Sequence, residues 1–301
     1  MSQATSSAIL GTRGTPRLAG LPMSAVREVV HFARRKPLGA AGAAIVLLMI
    51  VVAIFAPVIA PYDYDYQVLS QRLRDPSVEH VMGTDNLGRD IFSRIVYGAR
   101  ISITIGFVAV AIQTCLVTVL GVISGYYGRW LDLIFQRFID IWIAMPGLLA
   151  LIFFISVFGP SMATVIILLG TLGAAGGSRV VRSAVIAVRA QPYIEAARVI
   201  GASDRRVMLV HVLPNVLHVV VIGSTVAIGA FILAEASLAF LGFGVPPPYP
   251  TWGQMLNVSR EYLYFPWLAL WPGLALTATV FGFNVFGDAL RDVLDPRLRR
   301  S

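Results

Sequence analysis

Few side chains in this sequence are placed to do bond-breaking chemistry. The histidines stand at 31, 80, 211 and 218, and no two have zinc-site spacing. His211 and His218 read instead as a polar stripe at a membrane edge. The lone Cys115 lies inside an apolar run, so no intrachain disulfide and no cysteine-based metal framework is available. The lone lysine, Lys36, is followed by Pro37, which excludes the Gly-Lys-Ser/Thr of a phosphate-binding loop. Any ATP hydrolysis therefore belongs to another polypeptide, and this chain is expected to need no cofactor or metal of its own. What remains is ionic. Arg137 and Asp140 are spaced i, i+3, Asp90 and Arg94 i, i+4, and Glu235, Asp288 and Asp292 sit in or beside apolar stretches. An ion within a membrane span is a functional candidate by default, either as a structural partner or on a pathway. For Asp288 and Asp292 a helix-end role is preferred. For Glu235 the two readings balance, because Ala234, Ala236 and Ser237 describe a packed surface rather than a lipid-facing one.

The elements that carry these residues follow from composition. Of 301 residues, 57% are hydrophobic and only 13% charged, about half the usual charged share. The mean hydropathy of +0.76 exceeds what one soluble core can use. Stretches free of Asp, Glu, Lys and Arg cover 37–62, 101–128, 141–178, 207–234, 236–259 and 262–287. A crossing helix needs about 20 such residues. The run 141–178 is too long for one span and is interrupted at Phe158-Gly159-Pro160-Ser161, so it reads as two helices. The run 236–259 holds Pro246, Pro247, Pro248 and Pro250, which no lipid-facing helix tolerates. It reads as an external loop. The expectation is an all-α polytopic membrane protein with six spans near 38–60, 101–125, 133–158, 162–180, 216–240 and 265–288.

Of the 24 basic residues, 18 fall on one set of flanks and loops when the N-terminus is placed inside. By the positive-inside rule both termini are then cytoplasmic. This also accounts for the net charge of +8 without nucleic acid as a partner. Residues 1–36 read as a cytoplasmic tail, and the apolar run that follows is too long for a cleavable signal. Val26, Val29, Val30 and Ala33 fit either a short amphipathic helix or a plain basic flank. The membrane domain spans 37–301, with external loops at 61–100 and 242–264 and a long cytoplasmic loop at 181–215.

Two loops are more than connections. In the first, Gly83 and Gly88 bracket a turn around Thr84, Asp85 and Asn86, and an Asp90–Arg94 pair opens a short helix leading into the second span. A structural lid is preferred over direct solute binding. In the second, Pro192 suits the first position of a helix and Gly201 the position just past its end. Ser203 caps the next helix, and Pro214 ends its straight part. Ala196 and Ala197 give the short helix a face that another protein could approach closely.

Glu195-Ala196-Ala197, Gly201 and the His211-Val212-Leu213-Pro214 that follows resemble the EAA motif of ABC-importer permeases. His211 stands where the strict pattern has Ile. Gly83, Thr84, Asp85, Gly88, Arg89, Asp90, Ser93 and Arg94 are similar to the dipeptide/oligopeptide/nickel branch of that family, as are Arg137, Asp140, Pro146 and the segment 236–256. The likeness covers residues 25–298 and is closest to the second permease subunit. It implies the type I importer fold in a bacterial inner membrane and a role as half of a path for peptides or similar small solutes. It implies four protein partners of three kinds: a homologous but non-identical permease, two ATPase subunits that bind ATP and magnesium, and an extracytoplasmic binding protein. The EAA-type loop would carry the coupling. A stand-alone carrier or channel is the alternative; it would call for inverted repeats and buried acids that the sequence does not display.

Overall fold

The computed structural model describes residues 33–34 and 36–294. The described residues from 38 to 294 form one compact unit. The expected amphipathic segment of the N-terminal tail falls outside the described residues.

The described residues fold as helices joined by turns, with one isolated bridge between Thr84 and Asp90. Helix α1 is Pro37–Ile54 and α2 is Ile91–Tyr127. Then come α3, Arg129–Ala144, α4, Gly147–Phe158, and α5, Met162–Arg189. Helix α6 is Pro192–Val199. Helix α7, Asp204–Phe240, contains a π-helical stretch at Val207–Val212. Helices α8, Trp252–Ser259, and α9, Trp267–Leu294, complete the chain.

Five of these helices are long and apolar enough to cross a membrane, and α3 with α4 makes a sixth only if the bent pair counts as one span. The single helix expected at 133–158 is thus corrected. The chain turns by 91° between α3 and α4. Met145 is extended (ψ 131°), as a residue before proline prefers, and Pro146 brings no N–H to continue the ladder.

Three other expectations change. No separate short helix precedes the second span: α2 runs unbroken for 37 residues, about 55 Å at 1.5 Å per residue. Pro214 does not end its helix. The π-helical stretch before it widens the ladder by one residue, so the missing N–H leaves no gap and α7 continues to Phe240. The proline-rich segment, read as an external loop, also carries a helix. It delivers α8, whose Trp252 is fully buried and donates from Nε1 to the Ile95 carbonyl of α2 at 3.1 Å.

The bundle is built on α2 and α5, which approach closely because glycines face bulky partners. A Cβ on Gly121 would lie 2.7 Å from Val181, and one on Gly125 2.8 Å from Val185. Two apolar cores lie along this pair. One gathers Ile91, Ile105, Ile232, Leu238 and Trp252. The other gathers Tyr126, Val181, Val185, Ile194, Val207 and Val212 around α6. The two ends of α2 thereby define two ends of the molecule, the 61–90 end and the α6 end.

Candidate functional site

At the α6 end, Pro192 occupies the first helical turn and Gln191 before it is extended. Past the helix, Gly201 adopts φ 86°. The Gly201 amide donates to Arg198 O at 2.9 Å and the Ala202 amide to Ala197 O at 3.0 Å. That pair of bonds is a Schellman closure, which turns the chain sharply without leaving carbonyls bare. A Cβ on Gly201 would meet nothing within 4 Å, so φ alone demands glycine there. Ser203 precedes α7 but makes no side-chain cap bond. Glu195 and Ala196 are exposed, and so are Tyr193, Val199 and Ile200. Ala197, expected on the open face, is instead buried with Ile194. The approachable surface is therefore Ala196 with its larger apolar neighbours. Leu213 is half-buried and Pro214 exposed.

Among the ions on the long helices, two clusters and one solitary buried group stand out. Arg137 pairs with Asp140 at 3.4 Å, and Asp140 also pairs with Arg179 of α5. A second pair was not anticipated. Asp132 receives a two-pronged contact from Arg182 and a bond from the Ser124 hydroxyl at 2.5 Å, joining α3, α5 and α2. Asp288 is exposed. Glu235 is fully buried in α7. Ser102 of α2 donates to its Oε2 at 3.4 Å and the Thr251 side chain lies beside it, while Oε1 has no partner.

At the 61–90 end the polar motif folds into a buried knot. Gly83, Thr84, Asp85, Gly88, Arg89, Asp90, Ser93 and Arg94 are all buried. Asp85 Oδ1 accepts from the Leu87 and Arg89 amides at 2.8 and 2.9 Å, and Oδ2 accepts from Arg89 Nε at 2.7 Å. The Thr84 hydroxyl accepts from the Arg74 amide at 2.8 Å and donates to the Gln71 carbonyl at 2.5 Å. Gly88 has φ 72°, and a Cβ there would sit 1.9 Å from Val68 O.

The anticipated Asp90–Arg94 pair is not what forms. Asp90 is the N-cap of α2, and its Oδ2 accepts from the Ser93 amide and hydroxyl, both at 2.7 Å. A carboxylate turned back onto the first turn cannot also reach i+4. Its Oδ1 is held by His80 Nδ1 at 3.0 Å, and His80 Nε2 meets Gln71 Oε1 at 3.1 Å. Arg94 faces Asp85 at 3.6 Å and donates to Tyr64 O at 2.9 Å. His80, which read as one of four scattered histidines, is thus part of the knot. Among the described residues no group of three or more His, Cys, Asp or Glu could hold a metal ion.

Comparison with known proteins agrees with this architecture. Residues 117–300 match the family model described as the binding-protein-dependent transport system inner membrane component. Residues 24–76 match the N-terminal TM domain of oligopeptide transport permease C. The chain is 41% identical to the dipeptide transport system permease protein DppC of Alkalihalophilus pseudofirmus, over 91% of this chain and 90% of the relative. It is 43% identical to the glutathione transport system permease protein GsiD of Escherichia coli, over 88% of each, and equally so to its counterpart in Shigella boydii. The chain belongs to the binding-protein-dependent transport system inner membrane component family. Within it the chain is a DppC/OppC-like permease subunit of an ABC importer, a multi-pass transport protein of the inner membrane. This sets the stand-alone carrier aside.

Proposed function

We propose that the chain forms one half of a path for small peptides or similar solutes and couples that path to ATPase subunits through α6. The solutes named for the relatives are both short peptides, which supports that class. In this reading the α6 end and both termini face the cytoplasm, and the 61–90 end faces outward. A homologous, non-identical permease supplies the other half. Two ATPase subunits, with ATP and magnesium, dock at α6, and a binding protein delivers solute from outside. This chain itself carries no cofactor. The ions Arg137, Asp140 and Glu235 serve structure or pathway, and the knot serves as the lid of the outward face.

One observation carries the proposal. Helix α6 is closed at both ends, anchored by Ile194 and Ala197, and turns Glu195, Ala196, Val199 and Ile200 to the surface. A short rigid helix with a buried root and an apolar exposed face suits transmission of force better than a mobile loop does. The test uses the whole transporter in proteoliposomes. Ala196→Trp should block close approach of the ATPases, and Gly201→Val should tilt α6 by forcing a β-branched residue into φ 86°. Both should insert normally yet lose ATPase docking, or hydrolyse ATP without moving solute. Wild-type docking and stimulated hydrolysis in both variants would remove α6 from the coupling role.

A further inference from the structure

The residue that fixes α6 to the spans lies outside the EAA-like motif. Tyr126 is the penultimate residue of α2 and only 2% exposed. Its hydroxyl donates to Asp204 Oδ1 at 2.6 Å, at the first turn of α7. The Arg198 guanidinium of α6 lies 5.1 Å from the ring centroid, and that of Arg189, the last residue of α5, lies 5.9 Å away. The ring also belongs to the core that holds Ile194 of α6 with Val185 and Val207. One side chain thus touches the end of α5, the end of α6 and the start of α7, while its own backbone is the end of α2. Nothing else in the hydrogen bonds and ring contacts of the described residues joins those four elements at one point.

This arrangement decides how a push on α6 is received. Gly201 with φ 86° and the short segment 200–203 make the link from α6 to α7 a sharp turn. Ala190 and Gln191 make a still shorter link from α5. A helix of eight residues between two such turns can rock about its buried Ile194 and Ala197, which lie on one face, unless a fixed point beyond them stops it. The Tyr126 hydroxyl and ring supply that point. The hydroxyl bond goes to a carboxylate and the ring faces two cations, so both contacts are stronger than neutral ones of the same geometry. Gly125, next in sequence, lets α2 sit against Val185 of α5, so the point is rooted in the tightest helix pair of the bundle.

We propose that Tyr126 is the positioning residue that holds α6 at a fixed attitude to the α2/α5 pair, so that force on α6 tilts the spans instead of rocking α6 alone. The proposal rests on the reading of α6 as the docking helix. The test places spin labels on native Cys115 of α2, which is exposed, and on Val199→Cys of α6, in a full transporter whose other subunits carry no cysteine. Their separation is measured by double electron–electron resonance in the nucleotide-free and ATP-bound states. With Tyr126 present, one distance should persist in both states. Tyr126→Phe keeps the ring and removes the bond to Asp204. It should raise a displaced α6 population about tenfold, the lower end of what a hydrogen bond to a charged group contributes. Tyr126→Leu removes the ring as well and should raise it further. Asp204→Ala removes the acceptor and should displace α6 as Tyr126→Phe does, whereas a merely space-filling tyrosine would leave the Asp204→Ala distance at its wild-type value. A single unchanged distance in both Tyr126 variants would overturn the proposal. If Ala196→Trp still docks and stimulates the ATPases, the docking reading itself has failed. If Ala196→Trp loses docking while the Tyr126 variants keep one distance, only the positioning role has failed.

Discussion

Replacing Asp85 should cost more stability than any other single change at the 61–90 end. Its side chain is 7% exposed, and its partners Arg89 and Arg94 are 8% and 4% exposed. Asp85→Ala removes two backbone acceptor bonds, worth about 1 kcal/mol each. It also leaves two buried guanidinium groups without their carboxylate, and breaking a buried pair costs about 3–5 kcal/mol. The total is roughly 5 kcal/mol, allowing for the Tyr64 carbonyl that Arg94 retains. Asp85→Asn keeps an oxygen for the Leu87 and Arg89 amides and loses only the charge, so it should cost about 3 kcal/mol. The assay is thermal unfolding of the purified complex in detergent, followed by tryptophan fluorescence. Trp267 is a local reporter, because its Nε1 lies 3.5 Å from Thr84 O. Arg137→Ala is the contrast: its pair with Asp140 is 74% and 47% exposed and should be worth less than about 1 kcal/mol. The reasoning fails if Asp85→Ala destabilises no more than Arg137→Ala, or if Asp85→Ala and Asp85→Asn behave alike.

Gly88→Ala should displace the segment around Val68, since its Cβ would fall 1.9 Å from Val68 O, and limited proteolysis should then cut 61–90 faster than in wild type. An uncut loop would show that the backbone there yields cheaply. Glu235→Gln should leave α7 protected in hydrogen exchange, because an amide still accepts from Ser102 of α2. Glu235→Leu should weaken that protection by about 1–3 kcal/mol, and equal protection in both would sink the assigned contact. For orientation, single cysteines in a Cys115→Ala background should label from outside at Ser70 and Arg260, both exposed, and only from inside at Ser203. Outside labelling at Ser203 would invert the proposed topology.

Where structure is governed by neighbours in sequence, it could be read from the residues. Pro192 and Gly201 delimit α6 because helix ends are chosen by residues within a turn or two. Apolar run length marked most of the spans for the same reason. Where partners come from afar, it could not. Asp90 and Arg94 have a favourable spacing, yet the capping bond to Ser93 and the arrival of His80 reassign both. Asp132 and Arg182 lie 50 residues apart, and Tyr126 and Asp204 lie 78 apart. The break at Pro146 did leave a local signal, since a proline inside a helical pattern ends the helix just before it. The continuity through Pro214 left none, because it depends on a π-helical stretch that only the packing of Val207 and Val212 makes worthwhile.

The length of α2 has a mechanical consequence. A rod of about 55 Å is far longer than the roughly 30 Å hydrocarbon layer, so a span built on it extends well beyond that layer. One of its ends is tied into the Asp85 and His80 knot through the cap at Asp90, and the other carries Tyr126. An event on either face of the membrane is therefore felt by the same solid body. A tilt of about 5° pivoting at one end sweeps the other through roughly 5 Å, about one helical turn. In the proposed reading, signalling between solute arrival and ATP consumption then needs no chain of rearranging side chains through the bilayer. It needs a stiff lever gripped at both ends, and stiffness is what the unbroken ladder from Ile91 to Tyr127 provides.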